Sequence, residues 1–213
     1  MIDRTDSLLT AMGITLWERR PSQNATASAD FSSTWGTLAA SVRACTRCPL
    51  HSTRTQAVFG AGPQVATWCF VGEAPGAEED RQGEPFVGRA GRLLDAMLRA
   101  LGLAREEVFI ANVLKCRPPG NRDPNSTEVA SCLPFLHEQL SAIQPRVLVA
   151  LGRFAAQSLT ATSQPLSQLR GRVHDYRGTP LVVTYHPAYL LRQPGDKGAA
   201  WADLKLARGI LVS

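Results

Sequence analysis

The stretch that most constrains this chain is residues 72–91, GEAPGAEEDRQGEPFVGRAG. It follows a short apolar run, ATWCFV at 66–71, which reads as a strand buried on both faces. Gly72 and Gly76 bracket Pro75, so the chain turns sharply where the strand stops. Beyond the loop, residues 89–101 carry leucine and alanine at helical spacing, with Gly102 as a stop. Strand, long loop and helix in that order build an open α/β sheet. In such sheets ligands bind at the carboxyl ends of the strands.

The chemistry of the loop narrows the ligand. Glu73, Glu78, Glu79 and Asp80 place four acids in it, so it repels a phosphate. Neither G-x-G-x-x-G nor G-x-x-x-x-G-K-[ST] is present. Phe86, between Pro85 and Val87, offers a flat stacking face. A ring beside carboxylates suits a planar heterocycle with polar edges, or a site where water attacks an electron-poor carbon. A surface loop with solvated acids and a buried Phe86 fits the same residues, and the loop alone leaves both readings open.

Composition sets the class. With 213 residues and 44% hydrophobic content, the chain can bury the core of one globular domain. No apolar run approaches the roughly 20 residues that span a membrane. The start, MIDRTDSLLTAMGI, lacks a basic-then-apolar export pattern, so a cytoplasmic protein is expected. The formal net charge of +5 comes mostly from arginine, a mild pointer to nucleic acid because guanidinium groups grip phosphate bidentately.

Five cysteines without an export signal favour a metal site over disulfides. Residues 1–35 read as a partly flexible extension: an amphipathic piece at 7–17, then the linker-like PSQNATASADFSS. The globular domain, 36–213, opens with a helix from Thr37 that delivers Cys45. Cys45 and Cys48 form a C-x-x-C, and Cys116 and Cys132 follow at a distance. Four thiolates suit zinc or an iron–sulfur cluster. The wide second spacing favours a cluster clamped between distant segments, with four buried free thiols as the alternative. Cys69, mid-strand, reads as a core residue.

Three more strands are expected at 108–113, 146–151 and 181–185. Asn112, near the end of the first of these, can read an amide-like base edge or satisfy local backbone. The loop KCRPPGNRDP at 115–124 is rigid and basic, suited to a phosphate backbone. Ser126 is placed to cap a helix reaching Ile143, Gly152 opens another, and residues 166–173 read as a connector. His186 stands at the end of the last strand, followed by Pro187, and reads either as a site residue or as a hydrogen-bonded structural histidine. Tyr189, Leu190 and Leu191 are expected either to insert into a base stack or to cover the core. A terminal helix is expected over 199–212.

Together, GEAPGAEEDRQGEPFVGRAGRLLD, NVLKCRPPGNRDP, the four cysteines and YHPAYLLR resemble the family 4, iron–sulfur uracil-DNA glycosylases, over residues 37–207. The resemblance implies a three-layer α/β/α sandwich around a four-stranded, mostly parallel sheet. It implies a monofunctional enzyme that flips uracil out of single- or double-stranded DNA and hydrolyses its N-glycosidic bond. Cys45, Cys48, Cys116 and Cys132 would ligate a [4Fe–4S] cluster. Gly72, Glu73, Ala74, Glu79, Phe86, Asn112 and His186 would bind uracil: Phe86 by stacking, Asn112 at the edge that distinguishes cytosine, and Glu79 where a thymine methyl must be refused. His186 would stabilise charge on O2, Glu73 would position water, and Asn121 would assist. Arg117, Arg122, Tyr189, Leu190, Leu191 and Arg192 would contact DNA. The basic insert of the covalently trapping relative is missing from RPPGNRDPNSTE, so turnover without a covalent adduct is expected. The pocket segments hold no lysine other than Lys115, so no lyase step is expected, and a monomer is expected. Two other classes compete: a non-catalytic iron–sulfur DNA-binding module, and a phosphoryl-transfer enzyme. Acids in the cleft weigh against the first, and the missing phosphate loop against the second.

Overall fold

The computed structural model describes residues 24–212. The chain divides into two compact units, residues 1–34 and 35–213. The amphipathic piece at 7–17 lies outside the described residues. The helix expected from Thr37 starts earlier: α1 is Asn24–Arg43 and takes in most of the stretch read as a linker.

Four parallel strands form where the apolar runs predict them. They are β1 (Trp68–Gly72), β2 (Phe109–Asn112), β3 (Val147–Leu151) and β5 (Thr179–Thr184). A fifth strand, β4 (Val173–Tyr176), pairs antiparallel with β5, in the sheet order β2-β1-β3-β5-β4. The sequence hides β4 because an edge strand buries little. VHDY carries no apolar run, and Val173 is 46% exposed. The central strands need the apolar run because both of their faces are covered.

The helices between them are α2 (Ala77–Gln82), α3 (Arg89–Leu101), α4 (Ser126–Ile143), α5 (Arg153–Thr160), α6 (Leu166–Leu169), α7 (Pro187–Arg192) and α8 (Lys197–Val212). Strand pleating sorts the core into two layers. Cys69 and Val71 of β1 face α4 and α5, where they meet Leu136, Leu140 and Ala156. Trp68 and Phe70 face the other way, toward Leu94 and Leu98 of α3 and Leu204 of α8. This is the expected α/β/α sandwich. Cys69 is fully buried in it, and burial holds its thiol well above the ordinary range.

One cap differs from expectation. Asn125, and not Ser126, starts α4: its Oδ1 accepts from the Glu128 N–H at 2.8 Å, while Glu128 Oε2 accepts from the Asn125 N–H at 3.0 Å. Gly102, with φ +80, ends α3 as expected.

Candidate active site

The carboxyl ends of β1, β2 and β5 open into one cavity of about 430 Å³. Glu73, Ala74 and Glu79 line it from the loop after β1, together with Phe86. Asn112 comes from the end of β2, Asn121 and Arg122 from the loop that follows, and His186, Tyr189 and Arg192 from the segment after β5. Parallel strands put all these loops at one end of the sheet, so residues more than a hundred positions apart share one wall.

Phe86 has a left-handed backbone, φ +53, which costs a non-glycine residue on the order of 1–2 kcal/mol. Its surroundings impose that shape. Glu79 Oε1 accepts from the N–H groups of Val87 at 2.9 Å and Gly88 at 3.0 Å, and Oε2 accepts from Gly76 N–H at 3.1 Å. The glycines close the rest of the fit. A Cβ on Gly91 would stand 1.7 Å from the Phe86 carbonyl oxygen, and one on Gly72 would stand 2.6 Å from Phe86 Cζ and 2.4 Å from Asn112 Oδ1. Gly72 is therefore no cavity wall. It is the gap that lets the ring and the amide approach each other. Phe86 is only 6% exposed and belongs to the α3-side core, yet it also lines the cavity. The side chain is thus both part of the core and part of the cavity wall.

Asn112 is 2% exposed, and its Oδ1 is buried with no hydrogen-bond partner. A lone buried acceptor at a cavity wall is costly unless a ligand donates to it.

His186 is fixed by the start of α7. Pro187 occupies the first helical position, and the His186 side chain caps the helix: Nδ1 accepts from Ala188 N–H at 3.1 Å. That bond places the imidazole proton on Nε2. Burial, then Arg192, lower the pKa of His186 to about 4, against a smaller opposite pull from Glu79, so the ring is a neutral donor at pH 7. Its ring centroid is 5.5 Å from that of Phe86. Gly152, φ +88, makes room for it: a Cβ there would lie 2.9 Å from His186 Cβ.

The four acids of the loop separate into different roles. Glu78 pairs with Arg81 on the surface, Glu79 ties backbone, and Asp80 is buried against Thr55. Glu73 keeps its carboxylate on the cavity wall. Burial, then the Asp123 carboxylate, raise its pKa to about 7, with Arg153 pulling the other way. Arg153 pairs with Asp123 at 3.1 Å. Neither residue was foreseen in the sequence, although Arg153 follows the glycine that ends β3.

The DNA-facing expectations divide. Leu190 is 1% exposed and packs inward, in the same groove wall as Leu93, Met97 and Trp201, which removes it as a DNA contact. A six-residue helix has one outward side, and Leu191, 39% exposed, occupies it with Arg192. Tyr189 stacks on Tyr185 at 4.9 Å and donates its hydroxyl to Asp196 at 2.7 Å, so its ring is held in place. Arg122 grips the buried carboxylate of Glu128 bidentately, at 2.9 and 2.6 Å. That pair, reinforced by the N–H of Asn125, holds the Glu128 pKa below the usual range. Arg117 donates to Asn121 Oδ1 at 2.8 Å. Lys115, in the loop after β2, is 1% exposed and is not among the cavity's lining residues; it donates to Asn112 O at 2.9 Å and Gln139 Oε1 at 2.6 Å.

Cys45, Cys48, Cys116 and Cys132 line a second, much smaller pocket of about 10 Å³ with Arg47, Arg54 and Lys115 around it. Two donors point at sulfur: Arg54 Nη1 to Cys116 Sγ at 2.9 Å and Lys115 N to Cys132 Sγ at 3.1 Å. Burial pushes the Cys132 thiol up to about 11 and raises Cys116, with Arg54 opposing. Among the described residues no three His, Cys, Asp or Glu side chains gather round the position of one metal ion. A cluster asks less of them, because each thiolate binds a different iron and the sulfurs stand farther apart than around one zinc. The donors to sulfur and the flanking cations fit such a group.

Among the described residues no helix is long and apolar enough to cross a membrane. Comparison with known proteins gives a family. The profile of the Uracil DNA glycosylase superfamily matches residues 59–205. Over 172 residues the chain is 46% identical to the type-4 uracil-DNA glycosylase of Archaeoglobus fulgidus, covering 77% of this chain and 86% of that protein. It is 48% identical over 158 residues to the type-4 uracil-DNA glycosylase of Thermotoga maritima, 73% of this chain and 82% of that one. The type-5 uracil-DNA glycosylase of Pyrobaculum aerophilum is 33% identical over 139 residues, 56% of this chain and 60% of that protein.

Proposed function

The chain belongs to the uracil-DNA glycosylase superfamily and, within it, to the type-4 enzymes, and from that premise we propose how its cavity works. It is a DNA repair hydrolase that removes uracil from DNA and leaves an abasic site.

Phe86, Asn112 and His186 recognise the flipped base. Extruding uracil costs on the order of a few kcal/mol, and stacking on Phe86 returns roughly 1–3 kcal/mol of it. The buried Asn112 Oδ1 accepts from uracil N3–H. Cytosine carries an acceptor at that position, so it meets acceptor with acceptor. His186 donates Nε2–H to O2. When the C1′–N1 bond breaks, its electron pair leaves with the pyrimidine, and this donor stabilises the anion. One such preorganised donor is typically worth about 3–4 kcal/mol. Glu73 orients the water whose oxygen bonds to C1′ and receives a proton from it, with Asn121 at the same wall. The released uracil anion ends protonated at N1, taking up the proton that the water gave to Glu73, which returns the carboxylate to its ionised form. Glu79 holds the stacking loop in shape beside the space where a 5-methyl group would sit. Leu191, Arg192 and Arg117 meet the DNA strand. Lys115 is committed to the core, so the reading includes no amine nucleophile and no lyase step.

Cys45, Cys48, Cys116 and Cys132 would hold a [4Fe–4S] cluster, which when bound cross-links the end of α1, the loop after β2, and α4. The proposal includes a cytoplasmic monomer acting on single- or double-stranded DNA.

The observation that carries this reading is the His186 ring, its Nδ1 held by Ala188 N–H, set beside an aromatic plate and an orphaned amide oxygen. An oligonucleotide assay tests it. Uracil opposite guanine, opposite adenine or unpaired is incubated with the protein, then treated with alkali. Strand breaks at uracil are expected, forming more slowly in both Phe86→Ala and His186→Ala. Undiminished cutting in both variants would overturn the assignment of the site.

A further inference from the structure

We propose that Asp80 is a positioning residue that couples the order of the Phe86 loop to the cysteine site. The proposal rests on the reading that the four cysteines hold a cluster.

Asp80 does not line the cavity, and it is 4% exposed. A buried carboxylate is costly unless it is well bonded. Its bonds leave α2 altogether. Oδ1 and Oδ2 accept from Thr55 N–H at 2.9 and 3.1 Å, and Gln56 N–H approaches Oδ1 at 3.5 Å. The Gln56 side chain answers by donating Nε2 to Arg81 O at 2.7 Å. At the end of α2, a Cβ on Gly83 would stand 2.7 Å from Gln56 Oε1. The short helix is thus docked onto residues 55–56.

Those residues belong to a strap anchored among the cysteines. Arg54 donates Nη1 to Cys116 Sγ at 2.9 Å and Nη2 to Arg43 O, at the end of α1, at 2.7 Å. On the other side, the neighbour of Asp80 is Glu79, which holds Val87 and Gly88 and so fixes Phe86 in its left-handed backbone. Two adjacent acids of one six-residue helix therefore face opposite tasks. Glu79 grips the stacking loop, and Asp80 grips the strap that ends at Cys116. A strained conformation persists only where its surroundings over-determine it, and the strap is part of what determines this one. Loosening either end of the strap frees α2 and lets Phe86 leave its seat.

The test uses full-length, cluster-loaded protein and reads three quantities: absorbance near 400 nm per chain, amide exchange in the peptide covering 84–91, and kcat and KM for uracil release. Asp80→Ala is expected to keep the absorbance while exchange at 84–91 rises roughly tenfold or more, the scale of a charge-assisted hydrogen bond, and KM rises more than kcat falls. Asp80→Asn keeps a carbonyl acceptor for Thr55 N–H and is expected to sit between that variant and the wild type. Bleaching the cluster from wild-type protein should loosen the same peptide, and bleaching Asp80→Ala should add little, because the link is already cut. Unchanged exchange at 84–91 in either variant overturns the proposal, as do fully additive effects of variant and bleaching. If Asp80→Ala does not fold, Asp80→Asn alone decides. A wild-type protein without the 400 nm band sinks the cluster reading instead, and exchange in the Asp80 variants then judges the strap by itself.

Discussion

The two pockets of this protein are built on opposite rules. The base cavity is roomy, about 430 Å³, and leaves the Asn112 acceptor unpaired at its wall. The cysteine pocket is nearly closed, about 10 Å³, and its buried sulfurs already receive donors from Arg54 and Lys115. An unsatisfied buried acceptor lowers stability, so it is retained where a ligand comes and goes. Sulfurs with donors in place suit a group that stays. The first pocket gives up stability for exchange, whereas the proposed cluster would add stability at the second by cross-linking it.

The largest effect that could break this comparison is expected at the sulfurs. Cys116→Ser and Cys132→Ser should abolish absorbance near 400 nm and lower stability by more than about 4 kcal/mol, the range reached when a structural metal group is lost. A calorimetric trace like the wild type's would show that the small pocket holds nothing permanent. His186→Ala should be the reverse case, with kcat down about 10²–10³-fold and stability lowered only by the lost cap of α7, about 0.5–2 kcal/mol. Leu190→Ala separates core from rim on neighbouring residues. It should cost about 2–5 kcal/mol in denaturant unfolding, whereas Leu191→Ala should change stability by less than about 0.5 kcal/mol and lower activity chiefly on duplex DNA. Equal stabilities for the two would contradict the packing of α7. Phe86→Ala should weaken uracil release by about 5- to 150-fold, the equivalent of 1–3 kcal/mol of stacking.

The subtlest test is pH. Burial pushes the Glu73 pKa up to about 7, and the proposed mechanism uses its ionised form, so kcat/KM should fall about tenfold per unit as pH drops below 7 and level off above it. Glu73→Gln should be slow and lack that acid limb. His186 titrates at about 4 and stays neutral across the same range, so it adds no inflection between pH 5 and 8. An acid limb that survives in Glu73→Gln would assign it to another group.

Much of the architecture was legible in the chain. Four parallel strands, the glycine stop of α3, the loop after β1 and the core position of Cys69 all follow from apolar runs and turn residues. β4 did not, because a half-exposed edge strand has no apolar run to read. At the cavity, Asn112 and His186 stood out at strand ends and Phe86 as an aromatic in the loop, each with a structural alternative left open, and only the family resemblance gave Glu73 a role. The roles of Glu79, Asp80, Arg122 and Leu190 were not. Each depends on a partner elsewhere in the chain: Val87 and Gly88, Thr55, Glu128, and the wall of α3.

The sequence by itself determined which segments are buried strands, where they end, and which reactive side chains stand at those ends. Such facts are local, and the alternation of apolar and turn residues encodes them directly. The tertiary structure decided which acids stay free, which leucine of YLLR turns inward, and which tautomer His186 adopts. Those outcomes depend on small rotations and on single hydrogen bonds between residues distant in the chain, and only packing brings such partners together.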